Sequence, residues 1–399
     1  MTSQNVQDEI PWRAIVRVAL VSLGNLVGLG LLLPVFPLWV ELIVPSSTEV
    51  GLATTLTMGV GLIIARPLAG RWMEGRRRAP LMIIGIVINV VSSALYPLVE
   101  SLTPLLVLRL LQGVGFGWVT TGAVSAMTDL APPSRRGQMM GYFGAVNALA
   151  LIIGPGVGTA LYDALGFDAV FYGAAGLSMV AALPLMGLRE PPKPVVTGRV
   201  ALTEALRVPA LKLLAITHFM TYLLHGAVIT FLPKRFYPGG EGTESAADWM
   251  GVGTFFAVQA VAVIGFRVVT GKRFDQLERS LFIGGGRLAL LAAGVALGLT
   301  LSPWALLAVA VLYGLGQGAY LPAANALVGD ILPEHLRARG FAIFLLAFDL
   351  GFACGGTVAG VLTDLMGVAG AFVIMGTLPG LAWAIQTVAW RRVTAEEGK

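Results

Sequence analysis

Charged residues are scarce in this 399-residue chain: aspartate, glutamate, lysine and arginine make up only 12% of it, against about a quarter in soluble domains. So few charges cannot cover a water-facing surface, and a mean hydropathy of +0.81 indicates a membrane protein. The single cysteine, Cys354, excludes an intramolecular disulfide and a zinc site built from several cysteines. With three histidines and no phosphate-cradling loop, we expect no enzyme, no cofactor, no metal site and no direct ATP coupling.

The chain is rich in long apolar runs. Each run has at least the roughly 20 residues that a helix needs to cross a bilayer, and the runs are continuous instead of alternating, which favours helices over barrel strands. The sequence therefore predicts an all-α integral membrane fold with 12 transmembrane helices, at 13–40, 49–70, 79–99, 104–127, 138–161, 169–188, 210–233, 247–269, 281–301, 303–328, 340–362 and 369–389.

Most of the 27 lysines and arginines fall in the amino terminus, the even-numbered breaks and the carboxyl tail. Positive loops stay on the cytoplasmic side, so both termini are predicted to be cytoplasmic in a multi-pass protein of a bacterial-type plasma (inner) membrane. The excess of positive charge is then explained by the orientation of the chain in the membrane, and it does not indicate nucleic-acid binding. The loop 71–78 could also touch anionic lipid headgroups.

An internal repeat relates the two halves of the chain. A shift of 201 positions superposes similar residues in both halves, among them Arg66 on Arg267, Gly70 on Gly271, Glu74 on Asp275, Gly113 on Gly314, Asp129 on Asp330, Asp163 on Asp364 and Gly166 on Gly367. We therefore predict two pseudo-symmetric six-helix bundles, 1–188 and 210–399, joined by a proline-rich cytoplasmic linker at 189–209. Such a duplication fits a transport pathway better than a membrane-embedded enzyme or receptor.

Several motifs resemble the major facilitator superfamily over essentially the whole chain. The stretch from Arg66 through Gly70 to Glu74 is similar to that superfamily's loop between helices two and three, with Arg77 where a glycine is usual. In helix one, the stretch 28–37 resembles the drug:proton antiporter branch, although Asn25 stands where an acid is common. The resemblance implies the major facilitator fold and alternating access.

Two sets of residues are predicted to act in gating. Glu74 and Asp275 could each lie at the amino end of a helix in the opposite bundle and latch the cytoplasmic side, or these charges could only fix topology. In helix five, small residues and a proline resemble the superfamily's exporter signature, or could serve ordinary tight packing. The predicted gating residues are Arg66, Gly70, Glu74, Arg267, Gly271, Asp275, Gly154, Pro155 and Gly158.

Three residues are predicted to couple transport to protons. Asp349 is the one acidic residue deep in a predicted span, and a buried carboxyl favours its protonated form. Arg109 in helix four resembles the family's buried arginine of proton-coupled members. His225 is a second candidate proton site. The alternative for Asp349 is a structural role, in which it only orders the core. The alternatives for the histidines are a hydrogen-bonded pair in the core or, more weakly, a metal site.

The substrate path is predicted between the halves near mid-membrane. Polar and aromatic side chains inside apolar helices are the candidate binding residues: Asn25, Gln112, Phe116, His218, Tyr222, Gln259, Tyr313, Gln317, Tyr320 and Asn325. His218, Tyr222 and His225 are spaced to share one helix face. Aromatics with few charges suit lipophilic compounds.

The predicted function is secondary active transport, as a proton-coupled exporter of small hydrophobic or amphipathic compounds. The alternative is a symporter, uniporter or exporter for a polar solute such as a sugar, metallophore or peptide-like molecule. The expected partners are a small-molecule substrate, protons and membrane lipid, and a monomer is sufficient for this architecture.

Overall fold

The computed structural model describes residues 11–73, 77–132, 135–188, 202–236, 252–270, 278–300 and 302–397, and the regular structure within these ranges is helical. The first six long helices are α1 (Trp12–Leu32), α2 (Ser47–Met73), α3 (Ala79–Leu95), α4 (Leu102–Leu130), α5 (Arg136–Leu165) and α6 (Phe167–Ala182). They are followed by α7 (Pro209–Phe236), α8 (Val252–Thr270), α9 (Arg279–Leu299) and α10 (Pro303–Ile331). The stretch Glu334–Glu397 is broken at Gly367 into α11 (334–366) and α12 (368–397).

The all-α membrane fold is confirmed. Among the described residues, ten helices are long and apolar enough to cross a bilayer, with α11 and α12 counted as one and α5 not among them. Their outer surfaces carry large apolar side chains, such as Val180, Val268 and Leu281, that are more than half exposed. Such surfaces suit lipid and not water. Every predicted span overlaps a helix, while twelve crossings stay a prediction.

Helix α1 is shorter than the predicted span 13–40. It ends at Leu32, and after a turn that contains Pro34 a short helix runs over Phe36–Val40. Proline has no N–H to donate to a preceding carbonyl, so this proline marks the break. Of the other predicted segments, 189–201 of the linker and 247–251 of the eighth span lie outside the described residues.

The chain divides into two compact units. The first consists of Met1–Phe36 and Thr57–Thr197, and the second of Pro37–Leu56 and Gly198–Lys399. The predicted bundle boundary at 189–209 stays a prediction, and the segment Pro37–Leu56 groups with the carboxyl-terminal helices. Helix α2 therefore begins in the second unit and ends in the first, and it has a π-helical turn over Leu52–Leu56 where it passes from one to the other.

The offset of 201 recurs in the local geometry of both units. Gly166 (φ 80°) ends α5, and Gly367 (φ 78°) ends α11, in a left-handed conformation that glycine adopts without strain. An ion pair joins the start of the third helix of each unit to the end of the fourth: Arg78 to Asp129, and Arg279 to Asp330 at 2.8 Å. These matched features support the internal duplication.

Glycines bring corresponding helix pairs into backbone contact. Gly154 of α5 lies against Gly30 of α1, and Gly355 of α11, 201 residues later, lies against Gly226 and the carbonyl of Leu223 in α7. A β-carbon at either position would overlap backbone atoms of the facing helix. Small residues at such crossings let membrane helices pack closely, which compensates for the lack of a hydrophobic driving force in lipid.

Gly355→Ala is expected to destabilise the second unit, because the added methyl group overlaps the Leu223 carbonyl oxygen and the helices must move apart, at about 1–3 kcal/mol. Gly285→Ala in α9 is the control: its β-carbon meets open space, so better helix propensity should raise stability by up to about 1 kcal/mol. Thermal unfolding midpoints in detergent measure both. Equal midpoints for the two variants would contradict the packing account.

Candidate functional site

A cluster of aromatic and amide side chains fills the interior of the second unit. His218, Tyr222 and His225 lie on one face of α7, as their spacing predicts, and the Tyr222 ring contacts those of both histidines, with centroids 4.7 and 5.9 Å apart. Phe348 of α11 packs on Tyr222 at 4.3 Å, and Phe352 stacks parallel to Phe348. These five side chains form an aromatic cluster that contains two imidazoles.

His225 ends a hydrogen-bonded chain that crosses three helices. Gln259 Nε2 of α8 donates to Gln317 Oε1 of α10 (2.9 Å), and Gln317 Nε2 lies 2.9 Å from His225 Nδ1. The hydroxyl of Tyr313 lies at 2.9 Å from the same nitrogen. An imidazole nitrogen donates or accepts according to its tautomer, so Nδ1 can exchange a hydrogen bond with either partner. Four predicted site residues thus meet in one network.

A second network surrounds a buried arginine, Arg287 of α9, which is 1% exposed. Its guanidinium donates to Gln386 Oε1 (2.5 Å), Thr221 Oγ1 (3.1 Å) and the Tyr320 hydroxyl (3.2 Å), and more weakly to the carbonyl of Ala382. The Tyr320 hydroxyl in turn lies 2.6 Å from His218 Nδ1. The guanidinium is therefore held by neutral groups of three neighbouring helices.

The first unit has its own polar network. Gln112 Oε1 of α4 accepts from Arg109 Nη1 (2.5 Å) and from the Tyr96 hydroxyl (2.8 Å), while Gln112 Nε2 donates to Ser93 Oγ (3.2 Å). The guanidinium carbon of Arg109 lies 3.6 Å from the centre of the Phe36 ring, in a cation–π contact. Arg109 and Gln112, both predicted, are thus joined directly.

The remaining predicted binding and coupling residues are scattered. Asn25 and Phe116 line a small cavity in the first unit. Asp349 is 2% exposed in α11, so the predicted burial of this carboxyl is observed. Among the described residues, Asn325 of α10 is exposed and is not joined to any of the three networks.

The predicted gating residues are described only in part. Gly154 and Gly158 pack against α1, next to the buried Pro155. Arg66 is half-buried, while Gly70 and Arg267 are exposed. Glu74, Gly271 and Asp275 lie outside the described residues, so both proposed cytoplasmic latches stay predictions.

An acidic cap at the start of α2 was not among the predicted site residues. Asp364 of α11 accepts hydrogen bonds from the backbone N–H of Ser47 (2.8 Å) and Thr48 (2.9 Å), and from the hydroxyls of Ser46 (2.8 Å) and Thr48 (2.7 Å). Unpaired N–H groups and the helix dipole favour a carboxylate at this end. Nearby, Lys234 of α7 pairs with Glu41 at 3.1 Å. The segment Pro37–Leu56 is therefore fastened to α11 and α7 within the second unit.

Polar residues in and next to α3, α9 and α12 were also missed by the sequence predictions. Asn89 and Ser93 of α3, and Tyr96 in the 3₁₀ turn that follows it, are spaced four and three residues apart, the same spacing that identified the face of α7. Gln386 in α12 and Arg287 in α9 are polar or charged groups inside spans, which usually face protein. These signals were present in the sequence.

Two duplicated sets of membrane-length helices, each burying polar side chains that bond to one another, define a solute transporter. The profile of the Major Facilitator Superfamily matches residues 18–304 and 252–399. The chain belongs to this superfamily, which consists of transporters and not enzymes, and it resembles the drug:proton antiporter branch.

Similar proteins include two curated relatives and one solved structure. Multidrug resistance protein 1 of Bacillus subtilis is 29% identical over 164 residues, 41% of this chain and 42% of that protein. Quinolone resistance protein NorA of Staphylococcus aureus is 23% identical over 43% of this chain and 44% of its own. The aligned part thus spans less than half of each relative. An inward-facing, unoccupied bacterial homologue of the human lysosomal transporter Spinster has a TM-score of 0.81 at 18% identity, covering 97% of this chain and 98% of its own, which supports the fold.

Proposed function

We propose that this chain is a proton-coupled exporter of small hydrophobic or amphipathic compounds that works by alternating access of two six-helix bundles. The observation that carries the proposal is the aromatic cluster of the second unit, in which Tyr222, Phe348 and Phe352 pack around His225. Aromatic surface with a few placed polar groups suits lipophilic organic compounds. The names of the relatives, a multidrug and a quinolone resistance protein, favour the same class.

Proton coupling is assigned in this proposal to Asp349 and His225, with Arg109 in support. Asp349 and Arg109 are almost completely buried, and a buried titratable group changes its proton affinity when the cavity opens to water. Protons entering from outside would load these groups and leave on the cytoplasmic side while the solute moves outward. The proposal includes a plasma (inner) membrane location, cytoplasmic termini and a monomer.

The test is substrate-triggered proton movement in liposomes that contain a pH dye. Wild type should release protons from the liposome interior when a transported lipophilic cation such as tetraphenylphosphonium is added. In Asp349→Asn this proton signal should be at least about tenfold smaller, because one proton-carrying group is removed. His225→Gln should reduce it less, since Gln317 and Tyr313 can still hydrogen-bond the new amide.

His335→Gln is the matched control, because His335 is 62% exposed and lies near Glu204, outside the networks of His225, Arg287 and Arg109. Intact proton-driven accumulation in Asp349→Asn would remove Asp349 from the mechanism. A wild-type protein that moves no lipophilic compound would overturn the proposed function.

A polar-solute carrier is the second candidate. The network of Ser93, Tyr96, Arg109 and Gln112 in the first unit is richer in hydrogen-bonding groups than a purely lipophilic substrate requires. Saturable transport of a sugar or peptide-like compound, together with insensitivity to lipophilic cations, would favour this candidate over multidrug-type efflux.

A further inference from the structure

A small polar cavity lies inside the first unit, between α1, α3, α4 and α6. Its volume is about 10 Å³, which is room for about one water molecule or one small functional group. The lining is mostly polar and consists of Asn25, Asn89, Ser93, Gln112 and Ser178, with Gly28, Leu29 and Phe116. Gln112 belongs to the Arg109 network, so the cavity adjoins the proposed coupling residues.

Two asparagine side chains in this cavity are only half satisfied. Asn89 Nδ2 donates to Asn25 Oδ1 at 2.8 Å. Asn25 Nδ2 and Asn89 Oδ1 are buried and have no hydrogen-bond partner among the described residues. Exchanging the nitrogen and oxygen of both amides only exchanges the roles, so one donor and one acceptor stay open in either assignment. An open buried group is destabilising, because nothing replaces the hydrogen bond that it makes to water in the unfolded chain.

The fold itself does not require an amide at position 89. With the offset of 201, Asn89 corresponds to Leu290, so the second unit builds the equivalent of α3 with leucine at this position. Asn25 and Asn89 are 2% and 5% exposed, so water does not compensate them at a surface. A buried pair with an open donor and an open acceptor, in which Asn89 stands where the second unit packs with leucine, indicates a ligand.

We propose that Asn25 and Asn89 bind a hydroxyl group of the transported compound, which accepts from one amide and donates to the other. The inference rests on the proposed function and narrows its substrate class to amphipathic compounds with such a group. A site built to hydrogen-bond a substrate discriminates against analogues that lack the group, because its own polar atoms are then left unpaired.

The test compares two probes in proteoliposomes. Chloramphenicol carries hydroxyl and amide groups, and tetraphenylphosphonium carries no hydrogen-bonding group. The variant Asn25→Ala/Asn89→Leu removes both amides and gives position 89 the leucine of the second unit. We expect the ratio of the chloramphenicol KM to the tetraphenylphosphonium KM to rise at least about tenfold over wild type, since one buried hydrogen-bonded group is worth that factor.

Ser22→Ala is the matched control, because it removes a buried hydroxyl of α1 that bonds Asn147 (2.8 Å) away from the cavity, and its KM ratio should equal that of wild type. An unchanged ratio in the double variant, or an equal loss for both probes with a lower unfolding midpoint, would overturn the inference and leave the pair a structural water site. Wild type that transports tetraphenylphosphonium but not chloramphenicol would overturn it too. Wild type that transports neither probe would instead overturn the proposed function.

Discussion

Asp364→Ala is expected to release the start of α2 from α11. Asp364 accepts four hydrogen bonds from Ser46, Ser47 and Thr48, and a carboxylate at a helix start also complements the helix dipole. The loss of this cap should cost about 2 kcal/mol, which is about a 30-fold shift toward the released state. Asp364→Asn keeps one acceptor oxygen and should lie between alanine and wild type.

Cysteine labelling measures this release. Thr55→Cys in a Cys354→Ser background places a single thiol where α2 meets α11, because Thr55 is 1% exposed and its hydroxyl donates to the Ala353 carbonyl at 2.9 Å. A membrane-impermeant maleimide should label it much faster in the Asp364→Ala variant. Glu49→Ala is the control, since it removes one negative charge from the first turn of α2 and leaves the cap intact. Equal labelling rates with and without Asp364→Ala in the Thr55→Cys/Cys354→Ser protein would show that Asp364 does not hold the start of α2 against α11.

Gln386→Leu is expected to be among the most destabilising single substitutions in the second unit. Gln386 Oε1 accepts from Arg287 (2.5 Å) and Thr217 (3.2 Å), so leucine leaves a buried guanidinium without its shortest hydrogen bond. Leaving a buried charge undercompensated costs about 3 kcal/mol or more. Adding Arg287→Met should recover most of this loss, because the charge itself is then removed.

A double-mutant cycle of unfolding midpoints checks this coupling. Thr387→Ala is the matched control in α12, since Thr387 is exposed and bonds only within its own helix to the Trp383 carbonyl (2.8 Å). If Arg287→Met fails to recover stability in the Gln386→Leu background, the guanidinium is not what makes the leucine costly. Loss of transport in Arg287→Met with an unchanged midpoint would add Arg287 to the transport machinery.

Where a single helix carries the signal, the sequence predicts which side chains lie side by side. His218, Tyr222 and His225 share a face because helix geometry fixes the direction of residues three and four apart. Asn89, Ser93 and Tyr96 carry the same spacing, so they were predictable. Asn325 has the same polar character as Gln317 on the same helix, yet only Gln317 joins a network. Polarity alone does not tell which side of a helix faces the partner.

The sequence by itself determined the membrane class, the helices and the duplication, because apolar length and a constant offset of 201 are properties of the linear chain. Only the tertiary structure decided which polar side chains meet. Asn89 reaches Asn25 across 64 residues, Arg287 reaches Gln386 across 99, and Asp364 reaches Ser47 across 317. Such pairs depend on how far each helix is shifted and rotated against its neighbours, and close packing at glycine contacts sets that register.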